Sequence, residues 1–168
     1  MRDKKLRGIK RKTKNMVKNI EEHTVEFPLD FHNGYWHMHL PVAQDFIDSA
    51  TTPNKIKRFC IQTLVERANH LINLKPNNKD IYRVVVAVNF PELWSSQIIV
   101  FKNEDYFSGF FDRYNIYQTW LHLPEERSIQ REWGLTIPSN MQILGFKELI
   151  NDEDYSYEGE IWFIGELE

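Results

Sequence analysis

The sequence predicts an α+β fold. A mostly antiparallel sheet of about 4–6 strands packs against a long helix over 53–74 and an N-terminal basic amphipathic helix. Three features lead there. Apolar residues recur with a helical period from Ile56 to Ile72. Val84-Val85-Val86-Ala87-Val88 is too continuous for a half-exposed strand and reads as a central strand buried on both faces. Several shorter apolar or alternating segments lie between turn-forming residues, as strands of a sheet do.

Residues 3–22 have Leu6, Ile9, Thr13, Met16 or Val17, and Ile20 at steps of three and four, the spacing of one helix face. The basic residues lie mostly off that stripe. Residues 24–34 form a connector in which Val25, Phe27, Leu29 and Phe31 alternate with polar residues; Pro28 disfavours a central strand there. Asn33-Gly34 suits a tight turn with positive φ. Tyr35 to Leu40 follows as a strand with His37 and His39 on one face and Trp36, Met38 and Leu40 on the other.

A short helix is expected within 42–50. Thr52 and Pro53 then suit the N-cap and first position of the long helix, which Lys75-Pro76 stops. Strands are expected at Tyr82–Phe90 and Gln97–Lys102. Residues 104–114 carry Tyr106, Phe107, Phe110, Phe111 and Tyr114 at helical spacing, as a core-facing helix would. Tyr117 to Leu123 reads as a strand and 125–133 as helical. Met141 to Ile150 stays open between strand and helix because Gly145 weakens either. Glu160 to Leu167 reads as the closing strand.

With 168 residues the chain is expected to form a single domain, 1–168, in which 1–22 is a basic helix or arm. One cysteine, Cys60, allows no internal disulfide and no thiolate metal cage. It lies in the apolar stripe of the long helix and is expected to be packing. A cytoplasmic protein is the expectation, since the charged N-terminus lacks the apolar run of a signal peptide. No apolar run approaches the ~18 residues of a membrane span. The net charge of −3 conceals an uneven layout. Residues 1–18 hold nine Lys or Arg and one acid, a net of +8. The remaining 12 basic and 23 acidic residues give −11. A basic head on an acidic body points to binding of charged partners, or to a solvated helix face neutralised by the protein itself.

His37-x-His39 is the spacing that most resembles a catalytic or ligand-binding centre. Alternate residues of a strand point the same way, so the two imidazoles are candidates for one metal ion, with His32, Asp45, His122 or a later carboxylate as a third ligand. Acid–base or non-metal binding chemistry, and plain structural packing, are the competing readings. No cofactor is expected. There is no phosphate-cradling Gly-rich loop, no Gly-x-Ser-x-Gly elbow and no His-Glu-x-x-His. Glu125, Glu126, Arg127, Arg131 and Glu132 form a mixed cluster most simply read as a solvated helix face, although Arg127 and Arg131 are spaced to grip an anion.

The preferred function is non-enzymatic binding of a protein partner or an anionic ligand, in the manner of an inhibitor, immunity or regulatory protein. Its candidate residues are Arg7, Lys10, Arg11 and Lys14 on the basic helix, and Asp152, Asp154, Tyr155, Tyr157 and Glu158 in an acidic, aromatic segment near the C-terminus. A small hydrolase, with or without a metal, built on His37 and His39 is the first alternative. Nucleic-acid binding through residues 2–18 is the second.

Four runs carry a resemblance. They are Lys5-Leu6-Arg7-Gly8-Ile9-Lys10-Arg11, Asn33 through Pro41, Asn140 through Lys147 and Tyr157 through Leu167. Together they resemble an uncharacterised bacterial family known as a domain of unknown function. The resemblance spans nearly the whole chain, which implies one domain, and brings no activity, cofactor or site residue.

Overall fold

The computed structural model describes residues 2–43, 46–47, 49–88, 96–113, 120–121, 133–149 and 156–165. Its side chains are described at 10–43, 46–47, 49–88, 96–110, 112, 133–142 and 163–165. The helices are α1 (Arg2–Glu22), α2 (Asn54–Leu74, extended by a 3-10 turn over Lys75–Asn77) and α3 (Glu104–Arg113). The strands are β1 (Tyr35–His39), β2 (Arg83–Val88), β3 (Gln97–Phe101), β4 (Trp120–Leu121), β5 (Met141–Leu149) and β6 (Ser156–Gly165). They form one six-stranded sheet in the order β1-β3-β2-β6-β5-β4, antiparallel at every pairing. The α+β fold expected from the sequence is therefore present.

β2 lies inside the sheet, between β3 and β6, and all six of its residues are buried. Its alternate side chains feed two cores. Val84, Val86 and Val88 join Ile98, Val100, Met38, Leu40 and Phe163 beneath α2. From α2 come Cys60, Ile61, Leu64, Val65, Ala68 and Leu71, and from the end of α1, Ile20. On the opposite face Val85 and Ala87 join Ile99, Phe101 and Ile164 against Phe107 and Phe110 of α3. The aromatic run at 104–113 is thus a core helix covering the second face. Each fully buried Val, Leu, Ile or Phe stabilises such a layer by roughly 1.5–3 kcal/mol. Cys60 is buried in the first core, where desolvation pushes its thiol up to about 11.

Several boundaries differ from expectation for local reasons. Pro53 is extended (φ −60°, ψ 139°) and stands at the N-cap of α2, one position earlier than expected. The Thr52 hydroxyl donates to the Phe46 carbonyl at 2.6 Å instead of capping the helix. Met141–Leu149 is a strand, because β6 on one side and β4 on the other take up its backbone groups. β2 begins at Arg83, after Tyr82 N–H has bonded the Phe101 carbonyl at 2.8 Å. In the 42–50 segment, Phe46 and Ile47 have helical backbone. Of the strand expected over Tyr117–Leu123, Trp120 and Leu121 are described and form β4. The rest of that strand and the helix expected to start at 125 lie outside the described residues, apart from Trp133, whose backbone is helical.

The turn into β1 follows from Asn33-Gly34. Both residues have positive φ, 50° and 81°, and His32 and Tyr35 exchange backbone hydrogen bonds of 2.8 and 3.0 Å across them. This is the geometry of a two-residue type I′ turn. A Cβ on Gly34 would fall within the Tyr106 ring. Gly34→Ala is therefore expected to cost about 1–2 kcal/mol from its backbone conformation alone, with a further loss from displacing Tyr106. Equilibrium denaturation followed by circular dichroism measures this; an unchanged midpoint would contradict the assigned turn.

Candidate functional site

β1 is an edge strand, and its period of two divides its side chains as the sequence requires. Met38 and Leu40 are buried in the first core and Trp36 packs against it. Tyr35, His37 and His39 lie on the opposite face, in line along the strand. The Tyr35 ring meets Phe101, Tyr106 and Phe110, and its hydroxyl donates to the Tyr106 carbonyl at 3.2 Å. Both histidines are solvent-accessible. Their rings are nearly parallel, with centroids 6.2 Å apart.

Gln97 organises this face. It opens β3, lies opposite His39 in the register and is only 1% exposed. Its Oε1 stands 2.9 Å from His37 Nδ1. An amide oxygen only accepts, so in this arrangement Nδ1–H donates and the Nε2 lone pair of His37 is left for a ligand or a proton. Gln97 Nε2 is buried without a hydrogen-bond partner. The sequence reading missed Gln97; its signal was a lone amide opening the otherwise apolar run Gln97-Ile98-Ile99-Val100-Phe101.

As candidate metal ligands, His37 and His39 share one accessible face of β1. Among the described residues, no three His, Cys, Asp or Glu are grouped to hold a metal ion. His32 is exposed in the turn before β1, while Asp45 and His122 lie outside the described residues.

A second feature lies where the end of α1 and the connector meet α2. Ile20, Val25, Phe27 and Phe59 line the apolar part of a cleft of about 490 Å³, with Arg67, His23, His70, Glu21 and Glu66 among its polar residues. Arg67 Nη2 donates to the Ile20 carbonyl at 2.6 Å, placing a cation at the C-terminal end of α1. Arg67 Nη1 is buried without a partner. Burial lowers the pKa of this guanidinium. The sequence reading missed the cleft, because its residues come from segments that only tertiary packing brings together.

The basic candidates stand on the exposed face of α1. Lys10, Arg11 and Lys14 are exposed, while Met16 packs on the first core and Ile20 is buried in it. The backbone of Arg7 lies in α1; its side chain lies outside the described residues. Asp152, Asp154 and Tyr155 lie wholly outside them. Tyr157 and Glu158 have strand backbone in β6, with Tyr157 paired to Glu148, and their side chains are not described. Arg127 and Arg131 also lie outside the described residues.

Partial burial, and then the neighbouring His37, lower the pKa of His39 from the ordinary value of 6.5. Since its folded value lies below the unfolded one, the unfolded chain takes up this proton first as pH falls. The stabilisation is intact above about pH 6.5 and is lost as pH falls toward the folded value. In NMR titration the His39 ring is expected to protonate below that pH. His39→Gln is expected to flatten the fall in melting temperature on acidification. A His39 midpoint at or above the ordinary value would contradict the assignment.

No curated protein and no solved structure matches the chain. A family model described as "Protein of unknown function (DUF3916)" matches residues 17–166. That match begins within α1, after the candidates Arg7, Lys10, Arg11 and Lys14, and runs through the whole sheet. On this match, the chain belongs to the DUF3916 family of proteins of unknown function.

Proposed function

We propose that this protein acts by binding, without covalent chemistry, and that the basic face of α1 grips a polyanionic partner. The observation that carries the reading is the helix's division into opposite faces. Arg7, Arg11, Lys14 and Lys18 recur at steps of four, three and four, opposite the stripe ending in Met16 and Ile20. With Lys4, this basic stripe runs about 21 Å along the axis at 1.5 Å per residue. Lys10, Arg11, Lys12 and Lys14 are exposed, and no ion pair to any of them is found among the described residues. The Lys18–Glu22 contact at 3.5 Å is exposed and stays within the helix. The last turns dock on the core through Met16 and Ile20, on the side away from these exposed cations.

A cytoplasmic bacterial setting accompanies this proposal, supported by the single cysteine and by the resemblance in sequence. Among the described residues, no helix is long and apolar enough to cross a membrane. The acidic segment around Asp152–Glu158 is retained as a second contact surface for a protein partner, on its composition alone.

Fluorescence anisotropy with labelled RNA, DNA and polyglutamate across a salt series tests the proposal. Binding is expected to weaken steeply with salt. The triple change Lys10→Gln, Arg11→Gln, Lys14→Gln is expected to reduce the log–log slope for duplex DNA by roughly 2–3, at about 0.9 per phosphate contact. Absence of salt-sensitive binding to all three probes, or a slope unmoved by the triple change, would rule the basic face out.

A second reading, general acid–base chemistry at His37, is favoured by the Gln97 contact that leaves Nε2 available. It supports a small hydrolase and assigns His39 as the neighbour that disfavours a second charge. On this reading, p-nitrophenyl esters or phosphodiesters turn over faster than with free imidazole, and His37→Ala abolishes the excess. Rates equal to free imidazole would remove this reading.

A further inference from the structure

We infer that His37 and His39 together bind one divalent transition-metal ion of the zinc, nickel or copper class, with water completing its coordination. The inference shares its histidines with the acid–base reading but does not rest on it, since that reading needs no ion.

Strand geometry supplies the first part of the site. Residues two apart on β1 project from the same face, and both imidazoles are exposed there, with ring centroids 6.2 Å apart. With metal–nitrogen bonds of about 2.0–2.1 Å, two imidazoles on one tetrahedral ion hold their centroids roughly 5 Å apart. The rings therefore need to close by only about 1 Å and to splay from their near-parallel setting, a movement of the size that exposed side chains make on the picosecond-to-nanosecond scale. Rotation of the His39 ring toward His37 Nε2 achieves it without moving the strand.

Gln97 supplies the second part. Its side chain is 1% exposed, so its position is fixed by the sheet around it. With Oε1 at 2.9 Å it takes the Nδ1 proton of His37 and directs Nε2 outward as a lone pair. An imidazole that ligates a metal commonly donates its other N–H to a fixed oxygen in this way, which sets the tautomer and aims the ring. Tyr35, next in line on the same face, is not a further ligand: its hydroxyl is committed to the Tyr106 carbonyl. The site thus has two protein ligands, in keeping with the absence of any group of three among the described residues. Two imidazoles select for zinc, nickel, copper and cobalt, and against magnesium and calcium, which prefer oxygen. The acidic balance of residues 19–168, 23 acids against 12 bases, also favours a cation over an anion.

Isothermal titration of the tag-free full chain with Ni(II), Cu(II), Co(II) and Mg(II) tests the assignment. One ion per chain is expected, with Cu(II) tighter than Ni(II), Ni(II) tighter than Co(II), and no uptake of Mg(II). Substoichiometric Cu(II) is expected to broaden the amide signals of His37 and His39 first. His37→Ala and His39→Ala, each at an exposed position, are each expected to abolish the site, whereas His23→Ala leaves it intact. Gln97→Met is expected to weaken binding by roughly 10–100-fold, the usual effect of removing a group that orients a metal ligand. The two histidine variants keep the test decisive should Gln97→Met fail to fold. Ni(II) and Cu(II) binding no tighter than about 1 mM, a single-histidine variant that binds like the parent, or broadening centred on another histidine would each overturn the inference. Any of these results leaves the acid–base reading standing, to be judged by its own turnover assay.

Discussion

The burial of β2 on both faces is the constraint from which the rest of the architecture follows. The apolar run Val84–Val88 of this strand cannot leave either face in water, so each needs its own cover. α2 and the last turns of α1 cover one face; the short aromatic helix α3 covers part of the other. The antiparallel neighbours β3 and β6 then meet the backbone hydrogen bonds of β2 on both sides. On the edge strand β1, residues as polar as His37 and His39 share a face with Tyr35.

The cover of the first face leaves a concave surface. α2 contributes buried residues from Cys60 to Ile72, and among the described side chains α1 meets the core through Met16 and Ile20. Arg67 ties that end down by bonding the Ile20 carbonyl. Where α1, the connector and α2 join, a cleft with an exposed Phe27 remains. Upstream of the join, Lys10, Arg11, Lys12 and Lys14 of the helix are exposed. The family match begins at residue 17, beside this docking point.

On the other face, α3 covers the sheet through Phe107 and Phe110. Phe107 and Phe110 cover Phe101, and the Tyr35 ring closes that cluster at its edge. One pleat further along, Gln97 is buried and holds His37 through Nδ1. A buried amide gripping an accessible imidazole orients the ring more firmly than solvent would. The nearly parallel neighbour His39, partly desolvated, favours the neutral form.

The sequence by itself determined the elements whose patterns are local. The helical stripe from Ile56 to Ile72, the doubly buried valines, the positive-φ turn at Asn33-Gly34 and the alternation of β1 all depend on neighbours within a few residues. It likewise placed His37 and His39 together on one face, because period two needs no tertiary information. Met141–Leu149 was ambiguous because its strand state depends on pairing with β4 and β6, which lie outside its own window. Gln97 beside His37, and Arg67 beneath Ile20, are separated by 60 and 47 residues. Only the folded chain brings them within hydrogen-bond distance. Tertiary structure therefore decided which polar groups are buried, which of them lack partners, and where the surface is concave, since each of those properties belongs to several segments at once.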